Sequence, residues 1–255
     1  MSFARVMVGL PIAGLYLAVF GPLRRMAQES GSRWGRQTPV SFHRLLCALL
    51  NLKVRRRGAP SAAGPRLIVV NHVSWLDIPA LGAIEPLCFL AKKEIGRPWL
   101  GRQLAGLQGI VYVDRRRKRL IAKTNADIAA AMGAGDPVVL FAEATTGDGN
   151  RILRFRSSHF EAARAAGADA VVQPVYLDFR RLGGIRLSRR DRPSLAWYGD
   201  MTFLPHLFGY IAAGGGSCDV VYGEPIRVAS FPDRKALTRA AEAAVRRLAE
   251  TAKAG

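Results

Sequence analysis

The chain has 255 residues, enough for one sizeable core, and no linker divides its middle, so one domain with an N-terminal appendage is expected. Its 38 Lys and Arg, 31 of them Arg, face 19 acidic residues for a net charge of +19. Such a field favours anionic partners: nucleic acid, the anionic face of a membrane, or an acidic carrier protein. No zinc-like Cys/His spacing, aromatic RNA-binding signature or helix-turn-helix pattern is present, so nucleic acid falls away and no metal site is expected. Cys47, Cys88 and Cys218 are odd in number, far apart and in apolar contexts, as befits buried thiols of a reduced compartment.

Residues 6 to 23, VMVGLPIAGLYLAVFGPL, carry no charge and as a helix would extend roughly 27 Å, marginally a bilayer core. Pro11 and Gly14 interrupt the run, so a spanning helix and an interfacial or re-entrant one both stay open. Arg24 and Arg25 stand where a cleaved signal peptide needs small residues, so the segment reads as a retained anchor. Only Arg5 precedes it, whereas Arg24, Arg25, Arg33 and Arg36 follow. That asymmetry places the body on the cytoplasmic side of the inner membrane. PVSFHRLLCALLNL (39 to 52) has helical apolar spacing with Pro39 at its start, and reads as a second, amphipathic helix. The anchor is thus 1–53 and the α/β domain 54–255, entered through the basic, turn-rich VRRRGAPSAAGPR (54 to 66).

Strand-like and helix-like segments then alternate. LIVV (67 to 70), LCFLA (87 to 91), GIVYVD (109 to 114), PVVLFAE (137 to 143), VVQPVYLDF (171 to 179), SLAWYG (194 to 199) and DVVYGEPIRV (219 to 228) read as strands. IPALGAI, GRPWLGRQLAGL, RLIAKTNADIAAAMGAG, SSHFEAARAAG and the C-terminal DRKALTRAAEAAVRRLAETAK read as helices. The pattern predicts an α/β fold: a mixed, mostly parallel sheet with helices on both faces, preceded by the helical membrane anchor.

Chemistry gathers where the first of these strands ends, in IVVNHVSWLDIPA (68 to 80). The C-terminal ends of strands are where open α/β sheets hold ligands. Asn71, Ser74 and Asp77 also suit a helix cap, and that reading stays open beside a catalytic one. An imidazole serves as a general base near neutral pH when a carboxylate holds its tautomer. His72 and Asp77, five residues apart across a strand end and a turn, can meet in this way. No G-x-S-x-G nucleophile motif accompanies them, which favours direct attack by a hydroxyl or water over a serine acyl-enzyme.

NHVSWLD resembles the N-H-x-S-x-x-D signature of the glycerophospholipid acyltransferases, the bacterial 1-acyl-sn-glycerol-3-phosphate acyltransferase-like family. Three further blocks follow in order: GIVYVDRRR (109 to 117), VVLFAEATTGDGN (138 to 150) and VVQPVYLDF. The resemblance implies a catalytic dyad of His72 and Asp77, with Asn71, Ser74, Arg115, Glu143, Thr145, Thr146 and Asp148 as substrate-binding candidates. It also implies no metal and no cofactor beyond an acyl carrier protein or coenzyme A thioester as co-substrate. The third block departs from the usual F-P-E-G-T at Ala142 and Ala144, and has Thr146 where lysophosphatidate enzymes place an Arg. TTGDGNRILRFRS instead resembles the lyso-ornithine lipid O-acyltransferase branch, whose acceptor offers a carboxylate to Arg115 and an ammonium to Asp148. Asp148-Gly149 is also an ordinary turn pair. If the family's Gly at position 144 needs a positive φ, Ala144 is strained there.

The expected function is therefore membrane-associated acyl transfer from a thioester to the hydroxyl of a lysolipid. Lyso-ornithine lipid is the favoured acceptor and lysophosphatidic acid the alternative. A thioesterase or lipid hydrolase, in which the same dyad activates water, and a non-catalytic basic membrane adaptor are the rivals from other classes. His43, His159 and His206 lie in helical contexts and are expected to pack. Lys92, Lys93 and Arg97 read as solvated charge.

Overall fold

The computed structural model describes residues 33–92, 109–113 and 120–254, with individual positions between 9 and 23. Strand β2 (Arg66–Val70) is buried along its whole length, and its uninterrupted RLIVV is the composition of a central parallel strand covered on both faces. It lies between β5 (Val138–Phe141) and β6 (Val171–Leu182), parallel to both, with Val69 opposite Leu140 and Pro174. Beyond β5 come β3 (Cys88–Lys92) and β4 (Gly109–Val113), also parallel. On the other flank β8 (Gly216–Tyr222) runs antiparallel to β6, and β1 (Leu52–Arg57) closes the sheet parallel to β8. Two short strands, β7 (Ile185–Arg186) and β9 (Ile226–Arg227), pair with β6. The mixed, mostly parallel sheet is as expected.

Alternation along β2 divides the core in two. Ile68 and Val70 face α1 (Arg33–Leu49) and α2 (Asp77–Gly82), packing with Cys47, Leu76 and Leu81. Leu67 and Val69 face α3 (Ile121–Gly133), α4 (Phe160–Ala165) and α7 (Arg234–Ala254). In α7, Leu237, Ala241, Val245, Ala249 and Ala252 recur at helical spacing and are buried, which is why its many Arg and Glu can stay wet.

Pro174 is an odd residue for an internal strand, since it has no N–H for the ladder. It falls where the partner on one side is interrupted, between Tyr222 of β8 and Ile226 of β9, and its carbonyl accepts from Gly223 N–H at 2.9 Å. Carbonyl and missing N–H share that side, so no donor is left wanting.

Several expectations need correction. The connector expected from residue 54 begins as strand β1, so the boundary drawn between 53 and 54 falls inside an element of the sheet. Lys53, Arg55 and Arg56 are exposed on it while Leu52 is buried, the charged habit of an edge strand. Helix α1 begins at Arg33, with Pro39 inside it rather than at its start. SLAWYG is not a strand: Pro193 opens the short helix α5 (Arg192–Leu195), and Trp197 N–H then donates to Val73 O at 2.9 Å instead of joining the sheet. DVVYGEPIRV is broken into β8 and β9 at Gly223-Glu224-Pro225. Helix α6 (Phe203–Ala212) had no assigned element. The helix expected in GRPWLGRQLAGL lies outside the described residues.

Candidate active site

The site is built where β2 stops. Asn71 is buried, its amide donating to Leu177 O at 3.2 Å and its Oδ1 accepting from Leu177 N–H at 2.8 Å. It continues the β2–β6 contact one step past the ladder with a side chain. The turn that follows brings Asp77, the first residue of α2, back beneath the preceding residues. Asp77 Oδ2 accepts from His72 Nδ1 at 2.7 Å and from the N–H groups of Val73 and Ser74 at 2.8 and 3.1 Å. Asp77 is fully buried, and three donors converge on this one oxygen.

With Nδ1–H committed to Asp77, the lone pair lies on Nε2. The His72 side chain is 22% exposed, enough for a substrate atom to reach it. Phe141, the last residue of β5, stacks on the ring with centroids 4.0 Å apart and planes 21° from parallel. The main chain of His72 is held at both ends. Its N–H donates to Glu143 Oε1 at 2.9 Å, and its carbonyl accepts from Gly147 N–H at 2.9 Å. Glu143 Oε2 takes a second backbone donor, Leu153 N–H, at 2.7 Å.

Burial raises the Glu143 carboxyl pKa to about 7, against the pull of the Leu153 and His72 N–H groups; the nearby Asp77 charge raises it further. Its two oxygens face inward onto main chain. Glu143 thus holds the main chain of His72 and of Leu153. Asn71 and Ser74 are both buried, and Ser74 contributes its N–H to Asp77. The helix-cap reading of Asp77 gives way to the dyad, because its carboxylate turns back to His72, Val73 and Ser74.

Thr145 is exposed and Thr146 half-buried on the loop that Gly147 ties to His72. Asp148 bends this loop. Its oxygens accept from Asn150 N–H at 2.9 Å and from the Asn150 amide at 3.4 Å. Slight burial opposes ionisation, but those hydrogen bonds and Arg151 hold its carboxyl below the usual range. Ala144 has φ 61°, so the left-handed conformation suspected at the usual Gly position is adopted by an Ala. Arg115, with Lys93 and Arg97, lies outside the described residues.

The set-aside residues are explained by packing. His43 is buried against Gly82, where a Cβ would meet its Cδ2 at 2.2 Å, and burial lowers its pKa to about 4. His159 Nδ1 meets Asn125 Oδ1 at 2.9 Å. Burial pushes the Cys47 thiol up to about 12, and Cys218 is raised well above its ordinary value for the same first reason. His206, expected to pack, does so with a partner the sequence did not indicate. Its Nδ1 accepts from Trp75 Nε1–H at 3.1 Å and its Nε2–H donates to Ala196 O at 3.0 Å, so α6 is fastened to the tryptophan of NHVSWLD.

A protein-family model described as Acyltransferase matches residues 51–178. A lyso-ornithine lipid O-acyltransferase of Brucella abortus (strain 2308) is 40% identical over 240 residues, covering 92% of this chain and 90% of that protein. One from Pseudomonas aeruginosa is 36% identical over 245 residues, covering 94% and 89%. A 1-acyl-sn-glycerol-3-phosphate acyltransferase of Neisseria gonorrhoeae is 38% identical over 113 residues, 44% of each chain. Among solved structures, the 1-acyl-sn-glycerophosphate (LPA) acyltransferase PlsC from Thermotoga maritima has the same fold. Its TM-score is 0.70 at 18% identity, covering 100% of this chain and 98% of that one.

Proposed function

Because this chain belongs to the acyltransferase family, with lyso-ornithine lipid O-acyltransferases matching it almost end to end, we propose that it esterifies the hydroxyl of lyso-ornithine lipid. It is an acyltransferase of lysophospholipid-like substrates; the acceptor and donor are the proposed part. The observation that carries the mechanism is the 2.7 Å contact of His72 Nδ1 with Asp77, which leaves Nε2 as the base.

The acceptor hydroxyl oxygen attacks the carbonyl carbon of an acyl carrier protein or coenzyme A thioester while its proton passes to His72 Nε2. Asp77 stabilises the imidazolium that forms. The tetrahedral intermediate collapses, the C–S bond breaks, and the leaving sulfur takes the proton from His72. The products are an ester and a free thiol carrier, and His72 returns to its starting state. A base so placed is worth roughly 10²- to 10⁴-fold in rate. Among the described residues no group of three or more His, Cys, Asp and Glu is arranged to hold a metal ion.

Thr146 supports the ornithine acceptor, since it lacks the bidentate phosphate donor that an Arg would place there. Lysophosphatidic acid remains the second reading, favoured by the shorter matches to 1-acyl-sn-glycerol-3-phosphate acyltransferases. Arg115, Thr145 and Asp148 are assigned to the acceptor by motif.

The proposed location is the cytoplasmic side of the inner membrane. The uncharged stretch 6–23 and its Arg asymmetry support it, as do Ile12, Leu15, Val19 and Leu23, exposed at helical spacing. Met201, Phe203, Leu204 and Phe208 make a second exposed apolar group, beside Trp75. No described helix is long and apolar enough to cross a membrane. The test is acceptor competition in detergent: one acyl thioester, equal lyso-ornithine lipid and lysophosphatidic acid, and His72→Ala as blank. Preference for the ornithine acceptor is expected; preference for lysophosphatidic acid overturns that assignment.

A further inference from the structure

A cleft of about 350 Å³ has a lining that includes Asn150, Asp178, Arg180, Arg186, Arg189 and Arg192. Strand β6 explains its position. Its pairing with β2 ends at Val175, so Asp178 and Arg180 lie beyond the end of β2, on the same edge of the sheet as His72. The 147–150 loop forms the partition. Gly147 N–H holds His72 O, while a methyl group built on Gly149 would meet Val73 Cγ1 at 3.3 Å and Arg192 Cβ at 3.6 Å. The space between the dyad turn and Arg192 is tight there, and the φ of +77° favours glycine.

The charges in this cleft do not balance. Asp178 pairs with Arg192 at 3.3 Å and Arg180 at 3.7 Å, and Asp219 pairs with Arg180 at 3.2 Å and Arg57 at 2.8 Å. Three guanidinium groups thus meet two carboxylates in a largely buried network. Arg186 and Arg189 add two more, exposed and without an ion pair among the described residues. A cavity walled by surplus guanidinium is built for an anion that accepts planar, paired hydrogen bonds.

We propose that this cleft holds the acidic head group of the acceptor lysolipid: a carboxylate in lyso-ornithine lipid, a phosphate in lysophosphatidic acid. The inference rests on the reading that the acceptor is an acidic lysolipid. In either lipid the head group is a few bonds from the hydroxyl that must reach His72 Nε2, and the loop that lines the cleft at Asn150 also bonds His72 through Gly147. The phosphate of a pantetheine thioester, by contrast, is separated from its reacting carbonyl by the whole pantetheine arm. The guanidinium that Thr146 does not provide is thereby supplied from β6, the β6–β7 hairpin and α5.

The test is equilibrium binding of each lysolipid, and separately of acyl-coenzyme A, in detergent. It uses the non-turning His72→Ala protein with and without Arg186→Ala plus Arg189→Ala. Both arginines are exposed, so the fold should tolerate their loss, and a melting curve checks it. An Arg186→Gln, Arg189→Gln pair gives a second form of the same test. Expected is a loss of about ten-fold or more in affinity for the lysolipid that binds, weakening further with salt, and unchanged acyl-coenzyme A binding. Unchanged lysolipid affinity, no lysolipid binding at all, or a loss confined to acyl-coenzyme A overturns the proposal. Turnover by the wild-type enzyme, read separately, shows which acceptor it uses. An enzyme that acylates only lysophosphatidic acid would refute the ornithine assignment and leave the cleft to be judged on the phosphate lipid.

Discussion

Glu143 Oε1 accepts the main-chain N–H of His72 at 2.9 Å, so a residue two positions beyond β5 fixes the backbone of His72 just past the end of β2. Neither carboxylate of the site is therefore free for substrate. Asp77 holds the imidazole, and Glu143 holds the peptide that carries it.

Replacing Asp77 with Asn keeps the volume but puts an amide where Nδ1–H and two backbone N–H groups now converge on a carboxylate. The tautomer with a basic Nε2 loses its support. A fall of roughly 10³- to 10⁴-fold in kcat is expected, by analogy with other His–Asp pairs, with far smaller effects on substrate KM. Steady-state kinetics on Asp77→Asn beside the wild type checks this.

Glu143 makes stability depend on pH. Its folded pKa is raised from an ordinary 4.5 to about 7, so between those values the folded protein keeps a proton the unfolded chain has lost. Stability from this group is thus fully present at low pH and declines as pH rises through that window, by on the order of 3 kcal/mol. Glu143→Gln removes the titration. Melting temperatures at pH 5, 6 and 7 should slope less in Glu143→Gln than in wild type, and equal slopes would refute the assignment.

Ala144 at φ 61° carries a left-handed strain of about 1–2 kcal/mol that Gly does not feel, partly offset by the greater freedom of Gly when unfolded. Ala144→Gly should raise the melting temperature by a degree or a few. A lower melting temperature would show that the Cβ contributes packing that outweighs the strain.

The apolar face of α6 should touch lipid. Phe203 and Leu204 are 43% and 58% exposed, and Phe203 packs edge-on against Trp75, with centroids 5.4 Å apart. Phe203→Glu with Leu204→Glu should reduce co-sedimentation with acidic phospholipid vesicles by at least about ten-fold, since each buried apolar side chain is worth roughly 1.5–3 kcal/mol. Acylation of detergent-dispersed acceptor should change little.

The dyad was legible in the sequence because its two residues are five apart and their meeting is decided by one turn. The central strands were legible for a similar reason: RLIVV and PVVLF can only be buried. What escaped depends on distant partners. LKVRRR becomes an edge strand because Leu52 pairs opposite Gly216, and no local pattern announces that. Glu143 looked like a strand-end carboxylate reaching outward, and its turn inward depends on the N–H of His72, 71 residues away. Asn71 and Ser74 share a motif with His72, yet both are buried. The arginine cleft joins β6, the following hairpin and α5 to the loop at Asn150, and in the sequence its members read only as scattered charge.

The central claim is that His72, held by Asp77, deprotonates a lysolipid hydroxyl for attack on a thioester. It is tested most directly by following a radiolabelled acyl thioester with lyso-ornithine lipid and measuring ester, free fatty acid and free thiol together. The expected result is ester formed in step with thiol, little free acid, and both products lost in His72→Ala while the protein stays folded. Thiol released with free fatty acid in place of ester, or undiminished ester formation by His72→Ala, would contradict it.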